Sequence, residues 1–299
     1  MDLWVKRDDL TESAAGGNKI RKLEFLFADA LAQGADTVIT CGGAQSNHAR
    51  ATALLAARLG LRAHLVLRGA EPAAGAVPEG NLLLDRLAGA EVTWVTPEEY
   101  AERDALFADL TRSMRAQGRH PYAIVEGGSD EVGAWGYVRC AEELAAHGFD
   151  TVLHAVGSGG TSAGLVVGRR LAGLGARVVG VNVCDDAAFF QAKVAGIAGA
   201  LADRFALDAA RVAPEEVEIL DGFVGRGYAL SRPEELASIR DLARAEGLVL
   251  DPVYTGKAWH ALVATLRRDP RAFGARVCFV HTGGVFGLFP KAAELAPLL

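Results

Sequence analysis

Lysine is scarce in this chain of 299 residues: six (Lys6, Lys19, Lys22, Lys193, Lys257, Lys291) stand against 25 arginines. A residue used only as surface charge can be arginine, so two lysines in one turn, at 19 and 22, point to a task that needs an amine. Cysteine is also sparse. Cys41, Cys140, Cys184 and Cys278 lie far apart without paired spacing, which argues against a zinc site or a disulfide framework and favours buried free thiols. Basic charge is not in excess: the formal net charge is −6 and the pI near 5.7, so no field exists to hold nucleic acid. Long apolar runs are missing too, being broken by arginine as in "VVGRRLAGLGARVVGV", and no charged-then-apolar leader opens the sequence. The expectation is a cytoplasmic protein with no membrane partner and no metal. What the sequence does have is 51% hydrophobic residues, enough for a substantial core.

Short β-branched runs alternate with longer amphipathic segments. "DTVIT", "RAHLVLR", "EVTWV", "YAIVEGG", "DTVLHAVGSGG", "RVVGVNV" and "RVCFVHTGG" have the character of strands, and 46–59, 98–117, 133–147, 161–173 and 233–246 that of helices. This alternation predicts an α/β fold with mostly parallel sheet flanked by helices. Residues 69–80, "GAEPAAGAVPEG", form a surface loop, and no linker marks a domain boundary. Three strand ends, "TCGGAQSNHARA", "HAVGSGGTSAGL" and "FVHTGGVFGL", carry glycines and polar residues where open parallel sheets bind ligands.

The loop "GSGGTSAG" follows an apolar strand and opens an apolar helix, so backbone N–H groups of Gly157, Gly159 and Gly160 can approach an anion. Ser158, Thr161 and Ser162 add hydroxyls, which makes a small phosphate the natural occupant. The loop lacks the ending of a P-loop, and Ser162 stands where a dinucleotide fingerprint has its third glycine. That disfavours a nucleotide-binding oxidoreductase. Lys19 opens a helix after Gly16, Gly17 and Asn18, with Lys22 one turn on. Nearby positive charge and desolvation would lower the amine pKa of Lys19 and suit it to a Schiff base. At 45–48, Gln45, Ser46, Asn47 and His48 head a helix whose free N–H groups suit a carboxylate, or which Ser46 simply caps.

"VKRDD", "GGNKIRKLEFL", "GGAQSNHARATA", "VGSGGTSAGL", "LDPVYTGKA" and "FVHTGG", in order from about residue 4 to 289, resemble the fold type II pyridoxal-phosphate enzymes of the D-cysteine desulfhydrase and aminocyclopropanecarboxylate deaminase family. The resemblance implies two open, twisted, mostly parallel sheets in a tryptophan synthase β-like fold. It implies a small domain at 36–130, a large cofactor domain at 1–35 and 131–299, a homodimer, and pyridoxal 5'-phosphate as cofactor. It makes Lys19 the Schiff-base lysine and later the base, puts Asn47 on the cofactor 3-hydroxyl, and gives the phosphate to Lys22 and the 157–161 loop. Ser46, with Asn47 and His48, would receive the substrate carboxylate; Tyr228 and Tyr254 would face the substrate, and Thr282 would lie beside the pyridine nitrogen. Family members carry a few dozen residues before "VKRDD" that are not found here.

The deaminases of that family resemble one another in carrying glutamate after the "DPVY" tyrosine and leucine before the late glycine pair. This chain has Thr255 and Thr282 there, as the desulfhydrases do. The expected reaction is therefore β-elimination of D-cysteine to pyruvate, hydrogen sulfide and ammonia, with Tyr228 or Tyr254 protonating the sulfur. The alternatives are 1-aminocyclopropane-1-carboxylate deamination or lysis of another β-substituted amino acid such as cysteate, whose sulfonate could use Arg226. A catalytically silent carrier of pyridoxal phosphate is the remaining reading.

Overall fold

Strands and helices alternate throughout, and the computed structural model describes all 299 residues. The strands are β1 (Asp2–Arg7), β2 (Thr37–Gly43), β3 (Arg62–Arg68), β4 (Glu91–Val95), β5 (Pro121–Ala123), β6 (Thr151–Val156), β7 (Arg177–Asn182), β8 (Glu218–Leu220) and β9 (Arg276–His281). They form a five-stranded sheet, β1-β9-β6-β7-β8, and a four-stranded sheet, β4-β3-β2-β5. Every pair is parallel, with Lys6 opposite Val280 and Thr40 opposite Leu65. A parallel sheet must be covered on both faces, and the central strands show it: all of β6 is buried, and all of β2 except Gly43.

Helices α1 (Asn18–Ala32), α2 (Asn47–Arg58) and α3 (Gly80–Leu87) close one face of the four-stranded sheet around Leu26, Val38, Ala53 and Leu65. Helices α4 (Pro97–Ala101) and α5 (Arg103–Ala116) close the other around Ile39, Val66, Phe107 and Met114. On the five-stranded sheet, α6 (Trp135–Ala145), α7 (Gly160–Leu171) and α8 (Ala187–Phe205) cover one face, with Val138, Val152, Val167 and Leu201 in the core. The opposite face is covered by α9 (Pro233–Glu246) and α10 (Thr255–Arg268), packed on Leu153, Ile239, Leu262 and Phe279.

The expected α/β class with two parallel sheets holds, with three local differences. The strand expected at 122–128 pairs only over Pro121–Ala123, and the chain turns through a short 3-10 segment at Glu126–Gly128. The helix expected at 98–117 is broken at Glu102, because Thr96 and Glu99 close a capping box that fixes α4 as a separate turn. The helix expected at 133–147 begins at Trp135, after Asp130 has taken the backbone N–H groups of Val132 and Gly133.

Helix α1 places the chemistry. Ile20, Leu23, Phe27 and Ala30, spaced at three and four residues, are buried on one face, as an amphipathic helix requires. On another face Arg21 reaches Asp8 and Glu143 with bonds of 2.8 to 2.9 Å, and Asp8 also takes Lys6 and the Tyr137 hydroxyl. The aspartate of "VKRDD" is thus a buried hub tying the end of β1 to α1 and α6. At the start of α1, Gly17 has φ 111°, and a Cβ there would lie 2.8 Å from the Thr282 carbonyl oxygen. Only glycine fits, and Asn18 N–H bonds that same carbonyl at 3.0 Å.

Candidate active site

A cavity of about 480 Å³ opens at the carboxyl ends of both sheets. Its wall brings together Lys19, Ser46, Asn47, His48, Gly157, Ser158, Gly159, Thr161, Tyr228, Tyr254 and Thr282, which the sequence singles out separately. Gly160 and Lys22 lie just behind it. Two helices meeting at an N-terminus, α7 and α2, aim backbone N–H groups into the space, and neither has an acidic residue in its first turn.

Lys19 projects from the first turn of α1 and donates to Asn18 Oδ1 at 3.1 Å, while Asn18 Nδ2 donates to Thr161 Oγ1 at 3.1 Å. One asparagine therefore links the amine to the glycine loop. Burial lowers the Lys19 amine to a pKa of about 8; Asp251 opposes the shift and Arg50 adds to it. An amine in that range keeps a neutral, nucleophilic fraction near physiological pH far larger than an ordinary lysine does.

The loop before α7 fits a phosphate. Gly159 caps the helix at φ 87°, in the left-handed region, and no side chain bonds its first turn. The N–H groups of Gly160, Thr161 and Ser162 find no acceptor within the chain. Buried N–H groups need partners, and a dianion at this helix end would supply them. Lys22 differs from expectation: its amine is buried in the core behind the loop, donating to Gly127 O at 3.1 Å and Ser129 Oγ at 3.0 Å. Ser129 in turn bonds Ser158 at 2.7 Å, and a Cβ on Gly160 would sit 2.9 Å from the Lys22 nitrogen. Lys22 supports the cradle from behind instead of lining it.

Across the cavity Ser46 Oγ accepts the Ala49 N–H at 3.1 Å, so the capping role is real, and the N–H groups of Asn47 and His48 stay open. Asn47 Oδ1 accepts from Asn81 Nδ2 at 3.1 Å, which turns the Asn47 amide so that its own N–H₂ is free to donate. His48 is 3% exposed and its Nε2 lies 2.8 Å from Thr40 Oγ1. Because that hydroxyl already donates to Ile124 O, it accepts from His48, and the imidazole is the Nε2–H tautomer with Nδ1 left unpartnered. Burial, with Lys19 and Lys22 nearby, holds His48 well below its usual pKa, so it brings no positive charge to a carboxylate.

At the mouth the Tyr228 and Tyr254 hydroxyls are 2.5 Å apart, and the Lys19 amine lies 5.9 Å from the Tyr254 ring centre. Burial raises the Tyr254 phenol well above its ordinary pKa, and the Tyr228 hydroxyl, turned inward onto it, is raised as well. Both stay protonated. Thr282 lies on the wall, whereas Thr255 is fully buried: its hydroxyl donates to Asp251 Oδ1 at 2.7 Å and accepts from the Asp251 N–H at 2.9 Å. Arg226 is exposed and off the wall. The wall also holds residues that the loop motifs do not mark: Arg68, Tyr100, Arg103, Glu126, Cys184 and Lys193. Arg68 ends β3 and Glu126 follows β5, so the rule that ligands gather at strand carboxyl ends is the signal for both.

A family profile described as pyridoxal-phosphate dependent enzyme matches residues 1–283. The chain belongs to this family. As a pyridoxal-phosphate-dependent enzyme it has relatives similar over nearly the whole of this chain. A bifunctional D-cysteine desulfhydrase/1-aminocyclopropane-1-carboxylate deaminase of Arabidopsis thaliana is 41% identical, covering 100% of this chain and 76% of the plant protein. A putative 1-aminocyclopropane-1-carboxylate deaminase of Thermotoga maritima is 44% identical over 98% of this chain and 92% of its own. A D-cysteine desulfhydrase of Yersinia pestis is 41% identical over 96% and 88%. Among solved structures, an ACC deaminase homologue superimposes with a TM-score of 0.89 at 39% identity, covering 99% of this chain and 89% of that one. The fold is also shared with a tomato threonine deaminase, TM-score 0.64 at 19% identity. The enzyme uses pyridoxal phosphate, the chemistry for which the open N–H groups of α7 and the shifted Lys19 amine are suited.

Proposed function

We propose that this enzyme is a lyase acting on D-cysteine: with one water it gives pyruvate, hydrogen sulfide and ammonia. The observation that carries this reading is a Lys19 amine of pKa about 8 in one cavity with two tyrosines that keep their protons. Pyridoxal phosphate, when bound, supplies an electron sink for the pair left at Cα. Lys19 would anchor it, and the freed Lys19 amine would be the base that takes the α-proton. Gly157, Ser158, Gly159, Gly160 and Thr161 hold the phosphate, with Lys22 behind them. Asn47 would hold the cofactor hydroxyl, and Thr282 would face the pyridine nitrogen, to which it has a hydroxyl and no carboxylate to offer. Ser46 and the N–H groups at the start of α2 receive the substrate carboxylate; His48, being neutral and bonded to Thr40, shapes that pocket without adding charge. The Tyr228–Tyr254 pair, joined at 2.5 Å, hands a proton to the departing thiolate.

Deamination of 1-aminocyclopropane-1-carboxylate is the second reading, favoured by the names of the Thermotoga and Arabidopsis relatives. The test is pyruvate and sulfide release from D- and L-cysteine beside 2-oxobutyrate release from the cyclopropane acid. D-Cysteine should be the fastest; faster 2-oxobutyrate formation overturns the assignment. Finer readings belong to the same proposal: a small domain at 36–130, a large one at 1–35 with 131–299, a homodimer and a cytoplasmic location. Separate cores on the two sheets support the division, although Leu23, Leu26 and Phe27 of α1, within 1–35, pack into the core of the four-stranded sheet. Light scattering on the purified protein tests the dimer.

A further inference from the structure

Each lysine but one has an acceptor for its amine. Lys6 pairs with Asp8 and Glu143, and Lys291 with Glu294. Lys257 donates to the carbonyls of Val224 and Gly227, Lys22 to Gly127 and Ser129, and Lys19 to Asn18. Lys193 alone, half-buried on α8, makes no hydrogen bond and no ion pair; its one polar contact is a cation–π approach of 5.4 Å to Phe189. It nevertheless lines the cavity, and its stem passes the glycine cap of α7: a Cβ on Gly159 would lie 3.4 Å from Lys193 Cγ. Its charge is close enough to Lys22 to help depress that amine. Lys19, Lys22 and Lys193, half of the lysines in the chain, thus converge on three unpartnered N–H groups without forming an ion pair to any carboxylate.

From this convergence we infer that Lys193 is a positioning and charge-balancing residue for the phosphate of the cofactor, reaching over the Gly159 cap to the oxygens that the α7 N–H groups do not cover. The inference rests on the reading of this loop as the phosphate cradle. A dianion has more charge than a helix end carrying about half a unit can neutralise, and Lys22 already spends two donors on Gly127 and Ser129. An amine with three free donors completes the balance. Lys193 plays no part in proton transfer and so affects holding, not chemistry.

The test titrates the cofactor-free protein with pyridoxal phosphate and, separately, with pyridoxal, following quenching of its tryptophan fluorescence. Lys193→Met should raise the dissociation constant for pyridoxal phosphate about 10-fold at low salt, with the gap narrowing in 1 M KCl. Lys193→Arg should stay within about 3-fold of the parent, since it keeps the charge. Pyridoxal, which lacks the phosphate, should bind all three proteins alike. Lys193→Gln repeats the test if the methionine variant shows a lowered melting temperature. Parental affinity of the uncharged variants for pyridoxal phosphate, or an equal loss for both ligands, overturns the inference and leaves the cradle standing. A parent that does not distinguish pyridoxal phosphate from pyridoxal overturns the cradle and the inference together.

Discussion

Helices α7 and α2 point their N-termini into the same cavity, and they are finished in opposite ways. At α7 the cap is Gly159, which has no side chain to offer, and three N–H groups are left open. At α2 the cap is Ser46, whose hydroxyl takes the Ala49 N–H and leaves only those of Asn47 and His48. A bare helix end forgoes about 1 kcal/mol of capping until an anion arrives. An end with its own cap is settled in either state. The first arrangement suits an anion that stays, the second one that comes and goes with each turnover.

The largest break in that comparison removes the group between the two ends. Lys19→Ala should cut pyruvate formation by on the order of 10³-fold or more, since base and anchor are lost together. The absorbance band of the lysine imine should vanish while the protein still folds.

Acidity tests the same amine without a mutation. With its pKa lowered to about 8, Lys19 is largely protonated below that pH and largely neutral above it. Stopped-flow mixing of the cofactor-free protein with pyridoxal phosphate should show capture slowing about 10-fold for each pH unit below 8 and levelling above it. A midpoint near 10.5 would mean that burial does not shift the amine.

Substitutions at the two caps should then part company. Gly159→Ala forces a Cβ into a left-handed position at a cost of about 1–2 kcal/mol, which should weaken pyridoxal phosphate binding about 10-fold. KM for the amino acid should change little once the cofactor is saturating. Ser46→Ala should do the reverse: KM rises several-fold and cofactor affinity holds, with a capping loss of about 1 kcal/mol that Ser46→Gly largely avoids. If both substitutions strike cofactor and substrate equally, the division of labour between the helices is wrong.

Much of the fold was legible because alternating strands and helices leave a strong periodic trace; α9 runs over 233–246 as expected. The break at Glu102 was not, since it depends on a local competition between a capping box and helix continuation. In the site, glycine-rich turns at strand ends announced parts of both sides of the cavity. Tyr100, Arg103 and Lys193 sit in ordinary helix sequence and become visible only when the two sheets face each other. The depth of Lys22 was not legible, for a geometric reason. Three residues along an α-helix bring a side chain back about 60° short of a full turn, enough to move an amine from the cavity into the core behind the loop.

The bond from Asn18 N–H to the Thr282 carbonyl joins opposite ends of the chain, and β1 pairs with no strand but β9. Strands β2 to β8 are all made before that partner exists. Contacts so far apart in sequence form late in folding. The turn that presents Lys19 is therefore completed only once β9 is made, and a nascent chain holds its reactive amine out of register until that strand is in place.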